Sequence, residues 1–315
     1  MRVVLLCGGL GGARLAPALA RLLGPGSLTV VANVGDDLEW MGLRVCPDLD
    51  SVAYALAGVW DGERGWGRRG ESFHARDTLG ALRAASWFAI GDRDLGLHLE
   101  RARLLRGGAT LVAATREISR RLGVRGVSLV PASERLAGTR LVLQDGRVLD
   151  FQEWYVRERA RPQVRRTLLA RAPASAAALA ALEAADAVVL GPSNPVTSIG
   201  SILALRGMKR ALRNVAQRVA VSPVVALRPS RDAIVTHHAR ARRRVLRAEG
   251  RRDRPSSIAA RYARLVDRFV LDRADAREAP AIRRLGLEVV LADLLDASAL
   301  ARTLRDLFES EAARG

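Results

Sequence analysis

The sequence predicts an α/β protein: a Rossmann-like, doubly wound, mainly parallel sheet carrying an inserted helical lobe. Three observations carry this. Arg2 to Cys7 reads as a buried parallel strand, closed by the glycine cluster Gly8-Gly9-Leu10-Gly11-Gly12. Ala13 to Leu23 follows with Leu15, Leu19, Leu22 and Leu23 at helical spacing. Leu28 to Ala32 is a second β-rich run, ending on Asn33-Val34-Gly35-Asp36-Asp37. Strand, tight turn, helix and strand make a βαβ unit, whose ligand site belongs beyond the carboxyl ends of the strands. Both the glycine cluster and the aspartate pair occupy that edge.

The later segments extend the alternation. Residues 50–106 read as mostly helical, interrupted by the glycine- and tryptophan-rich Gly62 to Gly70, and form a lobe over the strand ends. Val127 to Pro131 is a strand. Leu141 to Gln144 and Val148 to Phe151 flank Asp145-Gly146, a hairpin signal. Ala174 to Ala185 is an alanine-rich helix, and Asp186 to Leu190 a strand followed by the loop Gly191-Pro192-Ser193-Asn194-Pro195. Val219 to Val221 and Leu287 to Leu291 supply further strands, with helices between and after them. No repeat period or linker divides the chain, so residues 1–315 are expected to form a single α/β domain.

With 315 residues, 49% of them hydrophobic, the chain can build a sizeable core without disulfides or metals. Cys7 and Cys46 make no metal-type cluster and read as reduced thiols. No secretory pattern opens the sequence, and no apolar stretch reaches the ~20 residues of a membrane helix. A soluble cytoplasmic protein with no membrane partner is the expectation. The net charge is +18, and Lys209 is the only lysine. Such a surface concentrates anions. Zinc-finger, RNA-recognition and helix-turn-helix patterns are all missing, so the arginines read as a solvated surface rather than a nucleic-acid interface.

The first loop excludes the commonest phosphate binder. A Walker A loop ends in Gly-Lys-Ser/Thr, and the one lysine follows Met208. A dinucleotide fingerprint from Gly9 would need glycine where Arg14 stands, and one acidic residue where two occur. What remains is physics: Gly8, Gly9, Gly11 and Gly12 let backbone N–H groups approach an anion at the positive end of a helix. Asp36, Asp37, Asp48 and Asp50 would repel one another unless a cation sat among them, and their hard oxygens suit Mg²⁺. Asp48 or Asp50 is also placed to cap the helix that follows, so one of the four is expected to be structural. Gly91-Asp92-Arg93-Asp94 is a charged loop whose plain reading is an ion pair with a helix cap. The hydroxyl and amide of Ser193 and Asn194 face the same strand-end crevice.

Together, CGGLGGAR, NVGDD, CPDLDS, GWGRRGES, WFAIGDRDL, LVPASERLAGTR, DFQEWYV, LGPSNPVTSIGSIL and VAVSPVV resemble the 2-phospho-L-lactate transferase family, which builds the deazaflavin coenzyme F-420. With the leading strand they span residues 2–225. CPDLD and FQEW-aromatic-V look most similar to the actinobacterial branch.

The resemblance implies a transferase in which a GDP conjugate of lactate, phosphoenolpyruvate or 3-phosphoglycerate meets Fo, the deazaflavin precursor. The terminal hydroxyl of Fo attacks phosphorus, GMP leaves and a phosphodiester forms. It implies Mg²⁺ as cofactor, a homodimer, and catalytic roles for Asp36, Asp37 and Asp50. Asp36, Asp48 and Asp50 are the candidate metal ligands. The glycine loop with Gly191, Ser193 and Asn194 would hold the nucleotide. Asp50, Trp66, Trp87, Asp92 and Arg93 would hold Fo, while Phe88 reads as a core aromatic. Asp50→Ala and Asp36→Asn are expected to abolish turnover and leave the fold intact.

Some segments depart from the family pattern. Ala89 stands where many archaeal relatives are basic. Ala226 to Ala233 replaces a glycine-containing loop, and the arginine run between His237 and Arg254 has no counterpart and reads as a solvated helix. The alternatives are a non-catalytic or altered-specificity paralogue, and a nucleotide-sugar-binding family marked by Asn-x-x-Asp-Asp-Gly-Gly-Ser. Here Leu38-Glu39-Trp40 follows the aspartate pair, which disfavours the latter.

Overall fold

β1 (Val3–Cys7) is buried along its whole length, which is why it is written as a continuous apolar run. Helix α1 (Gly9–Leu23) begins at once and turns Ala13, Leu15, Ala16 and Leu19 into the core. β2 (Leu28–Ala32) completes the unit, pairing parallel to β1 with Leu5 opposite Val30. The computed structural model describes residues 1–223 and 233–312.

A hairpin of β3 (Leu38–Trp40) and β4 (Leu43–Val45) leads into α2 (Pro47–Leu56), α3 (His74–Ala81), α4 (Asp92–Arg106) and α5 (Leu111–Arg121). β5 (Val127–Pro131) returns to the main sheet. β6 (Arg140–Leu143), β7 (Val148–Asp150) and β8 (Val164–Leu168) form a separate antiparallel sheet in the order β7-β6-β8. The second half runs α6 (Ala176–Glu183), β9 (Ala187–Leu190), α7 (Ile199–Ala204), α8 (Met208–Arg213) and β10 (Gln217–Val221). Then come α9 (Ala233–Ala248), α10 (Pro255–Tyr262), β11 (Arg268–Asp272), α11 (Ala279–Arg283), β12 (Glu288–Ala292) and α12 (Ala297–Ala312).

The main sheet has seven parallel strands in the order β12-β11-β10-β9-β1-β2-β5. Counting core strands along the chain, the winding goes outward one way from β1 and then restarts at β9 on its other side. Leu5 of β1 accordingly lies opposite both Val30 and Val189. The loops leaving β1 and β9 diverge at this switch point and open a crevice at the carboxyl edge. The doubly wound parallel sheet is therefore as the sequence predicts.

Three features differ from the sequence expectation. The β3–β4 hairpin turns through Met41 and Gly42, both at positive φ (51° and 74°), the geometry of a tight two-residue turn. β8 and β11 are further strands. The segment 50–106 is divided: α2 packs along α1, and α4 packs on α5 and β4, as parts of the main body. The stretch between α2 and α4 is joined to that body through Val59 and Trp60 and through Trp87 against Trp40, while its helix α3 has no buried residue. Among the described residues no helix is long and apolar enough to cross a membrane, and Cys7 and Cys46 are buried free thiols.

Candidate active site

The crevice at the switch point is a cleft of about 1270 Å³, reached by Gly8, Gly9, Gly11, Asp36, Asp48, Asp50, Ser193 and Asn194. A pocket for one small molecule occupies roughly 300–1,000 Å³, so there is room for two ligands side by side.

Gly8 caps α1 without a side chain, and its N–H donates to Ser193 Oγ at 2.9 Å. The next N–H, from Gly9, donates to the Asp48 carboxylate. A Cβ on Gly9 would stand 2.6 Å from Asp48 Oδ1, and one on Gly11 2.5 Å from the Pro192 carbonyl oxygen. The glycines thus let two other loops close onto the helix end. The first anion at that positive terminus is the protein's own Asp48, while the Leu10 and Gly11 N–H groups have no intrahelical acceptor. Gly12 does not reach the cleft: it packs beneath α1 against Cys7 and Val52. Gly191 does not either, because its N–H extends the β1–β9 pairing to the Leu6 carbonyl at 2.9 Å. Asn194 lines the cleft, but its Oδ1 caps its own loop through the N–H groups of Val196 and Thr197.

The four aspartates have separate fates. Asn33 Nδ2 donates to Asp36 Oδ1 at 3.0 Å and to Asp48 Oδ2 at 2.9 Å, so one amide holds two buried carboxylates. Burial pushes the Asp48 carboxyl up to about 6, against the hydrogen bonds from Asn33 and Gly9. Burial first, and then the Asp48 charge, raises Asp36 well above the usual carboxylate range. Such a pair binds a proton or a cation in preference to two free charges.

Asp37 turns the other way. It accepts from Arg44 at 3.0 Å and from Cys46 Sγ at 3.2 Å, and does not line the cleft. Burial lifts it to about 7 despite those partners. The catalytic role expected of Asp37 has no geometry behind it; it fastens the β3–β4 hairpin. Asp50 does reach the cleft, but both its oxygens are held by the Arg101 guanidinium, with His98 Nδ1 3.8 Å away. Its charge is already neutralised by that guanidinium. Tyr54 and His98 meet at Asp94 beside it, and although burial alone would raise the Asp94 carboxyl, they hold it below its usual value. Among the described residues no group of three or more His, Cys, Asp or Glu side chains converges as a metal site. The hard-cation candidate is the pair Asp36 and Asp48.

Of the expected Fo contacts, Trp66 lines the cleft, with Arg64 stacked over its ring at 5.1 Å. Trp87 does not; it packs edge-on against Trp40 at 4.9 Å, while its neighbour Phe88 lines the cleft with Ala89. Asp92 accepts from Ser72 Oγ and from the N–H groups of His74 and Ala75, holding the start of α3. Arg93 reaches back to the Arg69 carbonyl. Neither lines the cleft; in place of the expected ion pair with a cap on their own helix, Asp92 and Arg93 make hydrogen bonds that hold the lobe, and α4 is capped by Gly91.

Over residues 3–305 the chain matches the family model for 2-phospho-L-lactate transferase CofD. It belongs to the CofD family. It is 43% identical over 241 residues to the phosphoenolpyruvate transferase of Nocardia farcinica, covering 73% of this chain and 72% of the relative. It is 35% identical over 323 residues to that of Streptomyces griseus, covering 98% and 99%. A UPF0052-family protein from Bacillus halodurans shares the fold, with TM-score 0.60 and 18% identity over 96% of this chain and 97% of that one.

This CofD-family cleft has a second wall that the sequence reading left without a role: Phe151, Gln152 and Tyr155 from the segment FQEWY, facing His237 and His238 of α9. The signal was present in the quoted DFQEWYV. The arginine-rich helix α9 is also more than a solvated face. Ala241, Val245 and Leu246 bury into the core, and Arg242, paired with Asp253 at 2.7 Å, lines the cleft. The altered segment from Ala226 onward, ahead of α9, lies outside the described residues.

Proposed function

We propose that this CofD-family protein is a transferase of coenzyme F-420 biosynthesis. It moves a phosphoenolpyruvyl or phospholactyl group from a GDP-linked donor to the terminal hydroxyl of Fo and releases GMP. The observation that carries the reading is the meeting of three things in one cleft: a glycine-bounded helix N-terminus, a buried carboxylate pair, and an apolar aromatic wall. The relatives named phosphoenolpyruvate transferase favour that acyl group, with 3-phosphoglyceryl a further candidate.

Phosphoryl transfer asks a protein mainly to position two partners and neutralise charge. The Leu10 and Gly11 N–H groups at the start of α1 suit the donor's phosphates. Trp66 and Phe88 offer the deazaflavin an apolar face. Asp36 and Asp48, crowded onto one amide, fit a hard cation and would hold Mg²⁺, which supplies charge neutralisation when bound. A carboxylate oxygen of the pair left free by the cation would take the hydroxyl proton as the oxygen–phosphorus bond forms and the bond to GMP breaks. The Pro192–Ser198 loop, fixed to Gly8 through Ser193, lies where the guanosine side would rest.

The test is an assay of the purified protein with Fo, Mg²⁺ and each guanylated donor, read by mass. A phosphodiester of Fo together with GMP is expected. Binding of Fo without product from any donor would instead establish a non-catalytic paralogue.

A further inference from the structure

Tyr155 lies on a π-helical turn, Glu153–Arg157, and is held tightly for a residue that lines a cleft. Phe151 stacks on it at 5.2 Å, the rings 14° from parallel. His237 covers it at 4.3 Å and 51°. Its hydroxyl lies 2.9 Å from His238 Nδ1. The turn itself is pinned on both sides: fully buried Trp154 donates from Nε1 to the Pro162 carbonyl at 3.0 Å, and Gln152 Nε2 donates to the Asp36 carbonyl at 3.3 Å. Arg159 and Ala160 then end it in the left-handed region, at φ 53° and 50°. Strain of that kind persists where the surroundings impose it, and it clusters at ligand sites.

Packing alone would be served by phenylalanine. The oxygen is instead oriented by a histidine from a different element, 83 residues away. Burial, reinforced by the charges of Asp36 and Asp48, raises the phenol's pKa, so the group stays protonated. In the tautomer that carries its hydrogen on Nδ1, His238 donates to the phenol oxygen, and the phenol's own hydrogen is then left for a ligand in the cleft.

We propose that the Tyr155 hydroxyl is a fixed hydrogen-bond donor to a phosphoryl oxygen of the bound ligand, and that His238 is the positioning residue that aims it. This rests on the phosphoryl-transfer reading of the cleft. A neutral donor fixed in advance stabilises charge on an oxyanion without reorganising when the ligand arrives.

The experiment is a calorimetric titration of inorganic pyrophosphate, with Mg²⁺ present, into the wild type, Tyr155→Phe, His238→Ala and His238→Asn. Tyr155→Phe and His238→Ala should each weaken binding about tenfold, the loss of one hydrogen bond to a charged group. His238→Asn, whose amide nitrogen takes the place of Nδ1, should restore it. Unchanged melting temperatures separate a lost donor from a lost fold. Wild-type affinity in Tyr155→Phe, or no pyrophosphate binding by the wild type, overturns the proposal. Wild-type affinity in His238→Ala overturns the positioning role. Because the readout is anion binding, failure of turnover with every guanylated donor would sink the transferase reading separately.

Discussion

Arg101 grips both carboxylate oxygens of Asp50 in the interior, where the arginine is 1% and the aspartate 4% exposed. Breaking a buried pair strands the remaining charge, which typically costs about 3–5 kcal/mol. Arg101→Met is expected to destabilise the protein by that amount, read as a lower urea midpoint; a wild-type midpoint would show that water reaches Asp50. Asp50→Ala strands the guanidinium in the same way. Contrary to the sequence expectation, its lost activity would then report unfolding as much as chemistry. Asp36→Asn is the cleaner substitution, because it keeps size and hydrogen bonding. It should abolish turnover without lowering the melting temperature, since it also relieves a buried charge beside Asp48.

The Asp36–Asp48 pair makes stability depend on pH in the direction opposite to a salt-bridged carboxylate. Burial raises folded Asp48 from 3.8 to about 6, so the folded chain binds more protons than the unfolded chain between those values. The contribution is full below pH 4 and is lost as pH rises through 6. In the metal-free protein Asp48→Asn should match the wild type near pH 4. Above pH 7 it should exceed it by on the order of 3 kcal/mol, at about 1.4 kcal/mol per tenfold change in proton affinity. Urea unfolding with a chelator at pH 4, 6 and 8 checks this, and a variant less stable than the wild type at pH 8 would contradict it.

What the sequence made legible follows from distance along the chain. β1, α1 and β2 were readable because strands buried on both faces are written as continuous apolar runs. β11 was not: Phe269, Val270 and Leu271 are bracketed by Arg268 and Asp272, and nothing local says that Arg268 will pair with Glu288 on the neighbouring strand. In the site, the glycines and aspartates stand out because they occupy loops close in sequence that leave adjacent strands. The partnership of Asp50 with Arg101 spans 51 residues and that of Tyr155 with His238 spans 83. In a chain this rich in arginine, composition cannot mark which one is buried.

Two glycines should respond oppositely to alanine. At Gly11 a Cβ would lie 2.5 Å from the Pro192 carbonyl oxygen and 2.7 Å from Ser193 Oγ, so the loop after β9 must move. A loss of about 1–3 kcal/mol is expected, as for other overpacked positions. At Gly96, exposed within α4, a Cβ meets nothing within 4 Å. Gly96→Ala should stabilise by about 0.5–1 kcal/mol, through higher helix propensity alone. Paired thermal melts decide this, and a neutral Gly11→Ala would mean that the loop yields freely.

Trp66 and Trp87 are both tryptophans of the lobe, yet the structure gives them different work. Trp66 lines the cleft, 38% exposed and braced by Arg64, which also lies over Phe73 at 5.2 Å. Trp87 is half-buried against Trp40 and Phe88, away from the cleft. Trp66→Ala should therefore weaken deazaflavin binding about three- to tenfold, the range of one lost aromatic contact, with little change in melting temperature. Trp87→Ala should lower the melting temperature and leave affinity in the folded fraction within about twofold, since aromatic packing worth roughly 1 kcal/mol supports the hairpin rather than the ligand. Fluorescence titration with Fo and a thermal melt, run on both variants, separate the two roles. An affinity loss in Trp87→Ala alone would place the acceptor on the other side of the lobe.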